Sequence, residues 1–105
     1  MFGMKKLITV NEGINRARRD ENAVLLDIRP REDYKAGHVA GTINIPLNKI
    51  EQVKNRIRSL DTTIYVIGTY TYRPKKGVSQ LKKMGYKNVI PSGYMEEHIG
   101  QLTKR

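Results

Sequence analysis

Ala23-Val24-Leu25-Leu26-Asp27-Ile28 cannot be a surface strand, because its apolar residues fall at odd and even positions alike and leave no polar face for water. A run of this kind has to be covered on both sides, as a central strand is in a parallel sheet flanked by helices. Thr63 to Ile67 reads the same way, and three shorter candidates, Leu7-Ile8, Gly41 to Pro46 and Asn88 to Ile90, bring the expected strands to five. Helical signals alternate with them. Thr9 and Glu12 have the spacing of a capping box and open a helix through about Arg19, with Ile14 and Ala17 on its inner face. Arg31 to Ala36 fits one or two turns closed by Gly37, and apolar residues at Leu47, Ile50, Val53, Ile57 and Leu60 predict an amphipathic helix from Leu47 to Leu60. Pro74 suits the first position of a further helix with Val78, Leu81 and Met84 inside and Gly85 as its stop, and Met95 to Leu102 reads as a short terminal helix. This alternation predicts one α/β domain over 1–105, with a mainly parallel five-stranded sheet flanked by helices.

Thr63 to Ile67 leads into the part of the chain with chemical interest. A strand, Ile64-Tyr65-Val66-Ile67, a loop, Gly68-Thr69-Tyr70-Thr71-Tyr72-Arg73, and a helix from Pro74 follow one another. Such a junction can direct successive backbone N–H groups and a helix N-terminus at an anion, beside a guanidinium. Thr69, Tyr70, Thr71, Tyr72 and Arg73 are therefore the candidate anion-binding residues. At the strand end, where a nucleophile would stand, the residue is Gly68, which has no side chain to attack with. No catalytic residue is accordingly expected.

Composition narrows the chemistry further. The chain has no cysteine, which removes disulfides, thiolate metal sites and every mechanism that needs a thiolate. With His38 and His98 its only histidines, no metal or other cofactor is expected. No apolar stretch approaches the roughly 20 residues of a membrane span, and the opening residues lack the apolar core of a secretory leader, so a cytoplasmic protein is expected. The net charge is +10, and Lys49 to Met95 carries ten basic residues against Glu51 and Asp61. That field attracts anions, acidic proteins or nucleic acid, although no nucleic-acid motif is present.

The stretch Leu25-Leu26-Asp27-Ile28-Arg29-Pro30-Arg31-Glu32-Asp33-Tyr34-Lys35-Ala36-Gly37-His38-Val39-Ala40-Gly41-Thr42-Ile43-Asn44-Ile45-Pro46 resembles the N-terminal signature of rhodanese-homology domains. Gly85-Tyr86-Lys87-Asn88-Val89 resembles the segment after that family's active-site helix. The resemblance covers almost the whole chain. It implies a rhodanese-like sulfurtransferase frame in which a cysteine at the end of the fourth main strand carries sulfur as a persulfide and a six-residue loop binds the anionic substrate. In this frame Gly68 takes the cysteine position and Arg73 closes the loop, whose length matches the sulfurtransferases rather than the related phosphatases and arsenate reductases. Family loops place a glycine near the fourth position. Here it is β-branched Thr71, which disfavours positive φ, so the cradle's shape should change as well.

Asp27 and Arg29 resemble family positions that border the site entrance, and a hydrogen-bonded pair fixing the turn after the strand is the plainer reading of them. His38 reads as a satisfied structural histidine, since no nucleophile is present for it to activate. Tyr70 and Tyr72, at alternate loop positions, either frame the pocket mouth as binding groups or fill a collapsed pocket. Lys75, Lys76, Lys82 and Lys83 on the following helix read as solvated. Three functional readings follow. The first is an inactive rhodanese-like binding or regulatory module for a small oxyanion or an acidic protein partner. The second is an enzyme with cysteine-independent or partner-assisted activity on an anionic substrate, and the third an electrostatic nucleic-acid binder.

Overall fold

The computed structural model describes residues 8–105. Helix α1 spans Val10–Arg18, and Thr9 caps it as its spacing with Glu12 predicts: the Thr9 hydroxyl accepts from the Glu12 N–H at 3.2 Å. Strand β1 follows at Ala23–Asp27, then helix α2 at Arg31–Ala36 and the two-residue strand β2 at Ile43–Asn44. A 3-10 helix at Leu47–Gln52 runs into α3 at Val53–Arg56, and β3 occupies Thr63–Gly68. Helix α4, Pro74–Lys83, begins with proline at its first turn and stops before Gly85, whose φ of +103° is the left-handed turn expected of a helix end. Strand β4, Asn88–Tyr94, and a single 3-10 turn, Met95–Glu97, complete the order.

The four strands are parallel in the order β2-β1-β3-β4. Both faces of β1 and β3 are covered, for the reason read from their sequence. Leu26, Ile64 and Val66 meet Val53, Val78, Leu81 and Tyr86 on one side. Leu25, Tyr65 and Ile67 meet Val10, Ile14 and Ala17 of α1 on the other. At about 25 cal/mol per Å² of apolar surface, each fully buried Leu or Ile contributes roughly 1.5–3 kcal/mol, so the two cores hold the sheet independently of any cross-link.

Four expectations change. The described residues form four strands rather than five; Ile8 belongs to no strand and the remainder of the expected first one lies outside the described residues. The single helix expected from Leu47 to Leu60 is broken, since Lys49 leaves helical geometry (φ −122°, ψ 24°) and Ile57 is extended. Ile50, Val53 and Ile57 are buried all the same, because apolar spacing records which residues reach the core and not whether the backbone between them is continuous. The terminal helix from Met95 to Leu102 is reduced to the Met95–Glu97 turn. Asn11 explains this: its side chain takes both the N–H and the C=O of Ile99, at 3.0 and 2.8 Å, and so removes two groups that a helix would use. Finally, β4 continues through Pro91 to Tyr94, beyond its expected end at Ile90. Among the described residues it is an edge strand, where a missing N–H costs no ladder bond, and it carries one extra residue between its pairings Val66↔Pro91 and Gly68↔Tyr94.

Candidate functional site

Strand β3 ends at Gly68, and the loop that follows is knotted on Thr69. The Thr69 hydroxyl accepts from the N–H groups of Thr71 (3.2 Å) and Tyr72 (2.8 Å), while its own N–H donates to the Tyr72 carbonyl at 2.9 Å. The Tyr70 N–H donates to the Glu96 carboxylate at 3.0 Å and the Tyr70 phenol to Glu97 at 2.8 Å. Four of the five backbone donors expected to face an anion are thus engaged by oxygens of this chain. Arg73 turns its Nε onto the Tyr70 carbonyl at 3.1 Å. No non-glycine residue among those described has positive φ, so Thr71 sits in ordinary backbone and the loop follows a path adapted to it.

Gly68 is enclosed by this arrangement. A Cβ built there would lie 2.1 Å from the Tyr72 carbonyl oxygen and 3.1 Å from Pro74 Cδ. The first distance is far inside van der Waals contact with backbone, so any side chain at this position requires the loop to move. The nucleophile position is filled by the loop's own main chain.

Asp27 and Arg29 form the buried pair that fixes the turn into α2. The Arg29 guanidinium donates to both Asp27 oxygens at 2.9–3.1 Å and to the Gly37 carbonyl at 2.8 Å, and the Arg29 N–H closes on Asp27 Oδ1 at 3.0 Å. Arg29 also lines a shallow hollow of about 450 Å³ together with Thr69, Met95 and Glu96, so it borders the loop, whereas Asp27 stands behind it. Both His38 ring nitrogens face oxygens, that of Tyr34 at 2.8 Å and that of Arg105 at 2.7 Å, and the ring stacks on Tyr34 at 3.7 Å. That leaves no free nitrogen for base chemistry.

Tyr70 and Tyr72 diverge rather than frame one mouth. Tyr70 tilts against Tyr94 with ring centroids 4.8 Å apart; Tyr72 lines a cleft of about 760 Å³ on the other side of the loop, beside Arg31, Lys49 and Lys76. The hydrogen bond to Glu97, then desolvation and the charges of Glu97 and Glu96, push the Tyr70 phenol above its ordinary value of 10.0. Sequence reasoning missed Glu96 and Glu97, the two residues that meet the loop most directly. Their signal was adjacent carboxylates in a strongly basic chain, 26 and 27 residues from their partner, which no local pattern reveals. Among the described residues no group of three or more acidic or histidine side chains converges as a metal site, and no helix is long and apolar enough to cross a membrane.

A parallel sheet with β3 feeding a short loop into α4, and an Asp-Arg clasp after β1, defines the class, and the sequence profile of the rhodanese-like domain matches residues 10–93. The chain belongs to that family. It is 35% identical over 71 residues to a Bacillus subtilis protein named as a sulfur carrier, YrkF, covering 68% of this chain and 38% of that one. It is 35% identical over 80 residues to the adenylyltransferase and sulfurtransferase uba4 of Ogataea parapolymorpha, covering 76% of this chain and 19% of that protein. Against these relatives and the uncharacterized protein YqhL of Bacillus subtilis, the chain spans between a fifth and a half of their length. Among solved structures, a rhodanese with anions from E. coli superposes with a TM-score of 0.70 at 26% identity, covering 79% of this chain and 99% of that one. A rhodanese-like domain from Anabaena gives the same TM-score at 22% identity, covering 86% and 69% of the two chains, and this likeness is one of fold.

Proposed function

We propose that this rhodanese-like domain does not transfer sulfur on a residue of its own and acts as a binding module whose 68–73 loop takes a carboxylate or small oxyanion. The observation that carries the reading is Gly68, where an added Cβ would meet the Tyr72 carbonyl at 2.1 Å, in a chain with no cysteine. A persulfide needs a sulfur atom, and hydroxyls or phenols do not carry one. The loop's taste for anions is supported by its own contents: Tyr70 gives its N–H to Glu96 and its O–H to Glu97. An oxyanion, or an acidic segment of a partner, would take the place of these carboxylates, much as the E. coli relative is described with anions. A cytoplasmic setting belongs to the same proposal.

Thiosulfate:cyanide sulfurtransferase assays on the folded domain are expected to show no turnover above buffer, and clear turnover would overturn the first half. For the second half, titration calorimetry with thiosulfate on Glu96→Gln should show tighter binding than the parent, and Arg73→Ala weaker. Identical affinities in all three proteins would remove the loop from the binding reaction. In Gly68→Cys, persulfide formation requires the loop to open, and cyanolysis of the thiosulfate-treated variant reads whether it does.

A further inference from the structure

Three hollows that Glu96 does not line adjoin one another and form a grooved surface. The first is the cleft of about 760 Å³ that Tyr72 lines, with Arg31, Lys49 and Lys76 on its walls. The second, of about 370 Å³, shares Arg31, Pro46 and Lys49 with the first and adds Arg56. The third, of about 390 Å³, shares Arg31, Asn44 and Arg56 with the second and adds Lys35, Lys104 and Arg105. Shared lining residues make the three adjoin one another. Arg31 lines all of them.

Positive charge predominates along this groove, and its cations form no ion pair among the described residues. The ion pairs among the described residues are Arg16–Glu12, Arg29–Asp27 and Lys87–Asp61, and none uses a groove cation. Glu32 and Glu51 touch the first hollow, while the second and third are lined by no Asp or Glu side chain. The cations are also exposed and recur along a track instead of converging on a point, which suits a ligand whose negative charge repeats along its length. Between them stand side-chain amides: Asn48 and Gln80 in the first hollow, Gln52 and Asn55 in the second. Amides both donate and accept, as the edges of unpaired nucleobases do. Tyr72, more than a third exposed, offers an aromatic face at one end, where a base can stack.

We infer that this groove binds single-stranded nucleic acid, with Arg31, Lys49 and Arg56 tracking phosphates and Tyr72 stacking a base. The site is separate from the carboxylate contacts of the loop and does not rest on their role. The probe is a fluorescein-labelled single-stranded RNA of mixed sequence, read by anisotropy at several salt concentrations. The parent protein should bind at about 50 mM salt, with affinity falling steeply as salt rises. Substituting Arg31, Lys49 and Arg56 together by Gln should weaken binding at least about tenfold at that salt and lower the log-log salt slope by about 2, at roughly 0.7 per phosphate contact on a single strand. Lys82→Gln with Lys83→Gln, which removes two exposed charges outside the groove, should change affinity by less than about threefold. Matching thermal unfolding of the variants excludes loss of fold. Equal loss in the two sets, no binding by the parent, or poly-glutamate competing as well as RNA would each overturn the assignment.

Discussion

Tyr70 shows how much of the loop's behaviour is set by two carboxylates. Its phenol is exposed to solvent, yet the hydrogen bond to Glu97 and the neighbouring charges hold it above 10.0 in the folded protein. The unfolded chain has no such contact, so the neutral phenol favours folding at all pH below about 10, and this contribution disappears as pH rises through the raised value. An ultraviolet-difference titration, with Tyr70→Phe to assign the signal, should therefore show the Tyr70 phenol ionising above 10.0, and Glu97→Gln should bring it back toward that value. A phenol unmoved by Glu97→Gln would mean that the contact does not form in solution. Gly68 makes the complementary point about absence. Its neighbours close over it through the Thr69 hydroxyl, which serves the N–H groups of Thr71 and Tyr72 as an anion would.

Elements set how these residues meet. Gly85 ends α4 in the left-handed region, and a Cβ there would touch only Leu60 at an ordinary 3.4 Å. Gly85→Ala should therefore cost only the conformational term, about 1–2 kcal/mol, measurable by urea unfolding. The sequence made such punctuation readable: Thr9 with Glu12, Pro74 and Gly85 each bound a helix where the residue type predicts. The doubly covered strands were equally legible, because burial on both faces leaves apolar residues at odd and even positions of β1 and β3 alike. Legibility failed where a distant side chain decides. Asn11 captures Ile99 across 88 residues and cancels a helix, and Glu96 meets Tyr70 across 26. Within the site, Gly68 and the Asp27–Arg29 clasp could be seen from local spacing, but the closure of the loop on itself could not.

At the scale of the molecule, charge and size set the terms. The described chain measures 37 × 35 × 28 Å, and the full sequence carries +10. At about 0.01 M salt the screening length is near 30 Å, so cations on opposite sides repel one another; at about 0.15 M it is near 8 Å and only neighbours do. The melting temperature should accordingly rise on going from about 10 to about 150 mM KCl, and a gain of about 4–8 °C would correspond to roughly 1 kcal/mol. A flat or falling profile would show that this repulsion does not limit stability. The sheet has a second consequence, at its margins. Any open sheet offers unpaired N–H and C=O groups to whatever strand comes next, and in the sheet of the described residues each margin is blunted in its own way. On one side β2 is two residues long and lies between cavities lined by lysine and arginine; on the other, β4 is interrupted by Pro91 and an unmatched residue. A second copy approaching either margin finds too short a ladder and like charge, or a ladder with a missing rung, so the sheet that organises the fold resists being extended into a fibre.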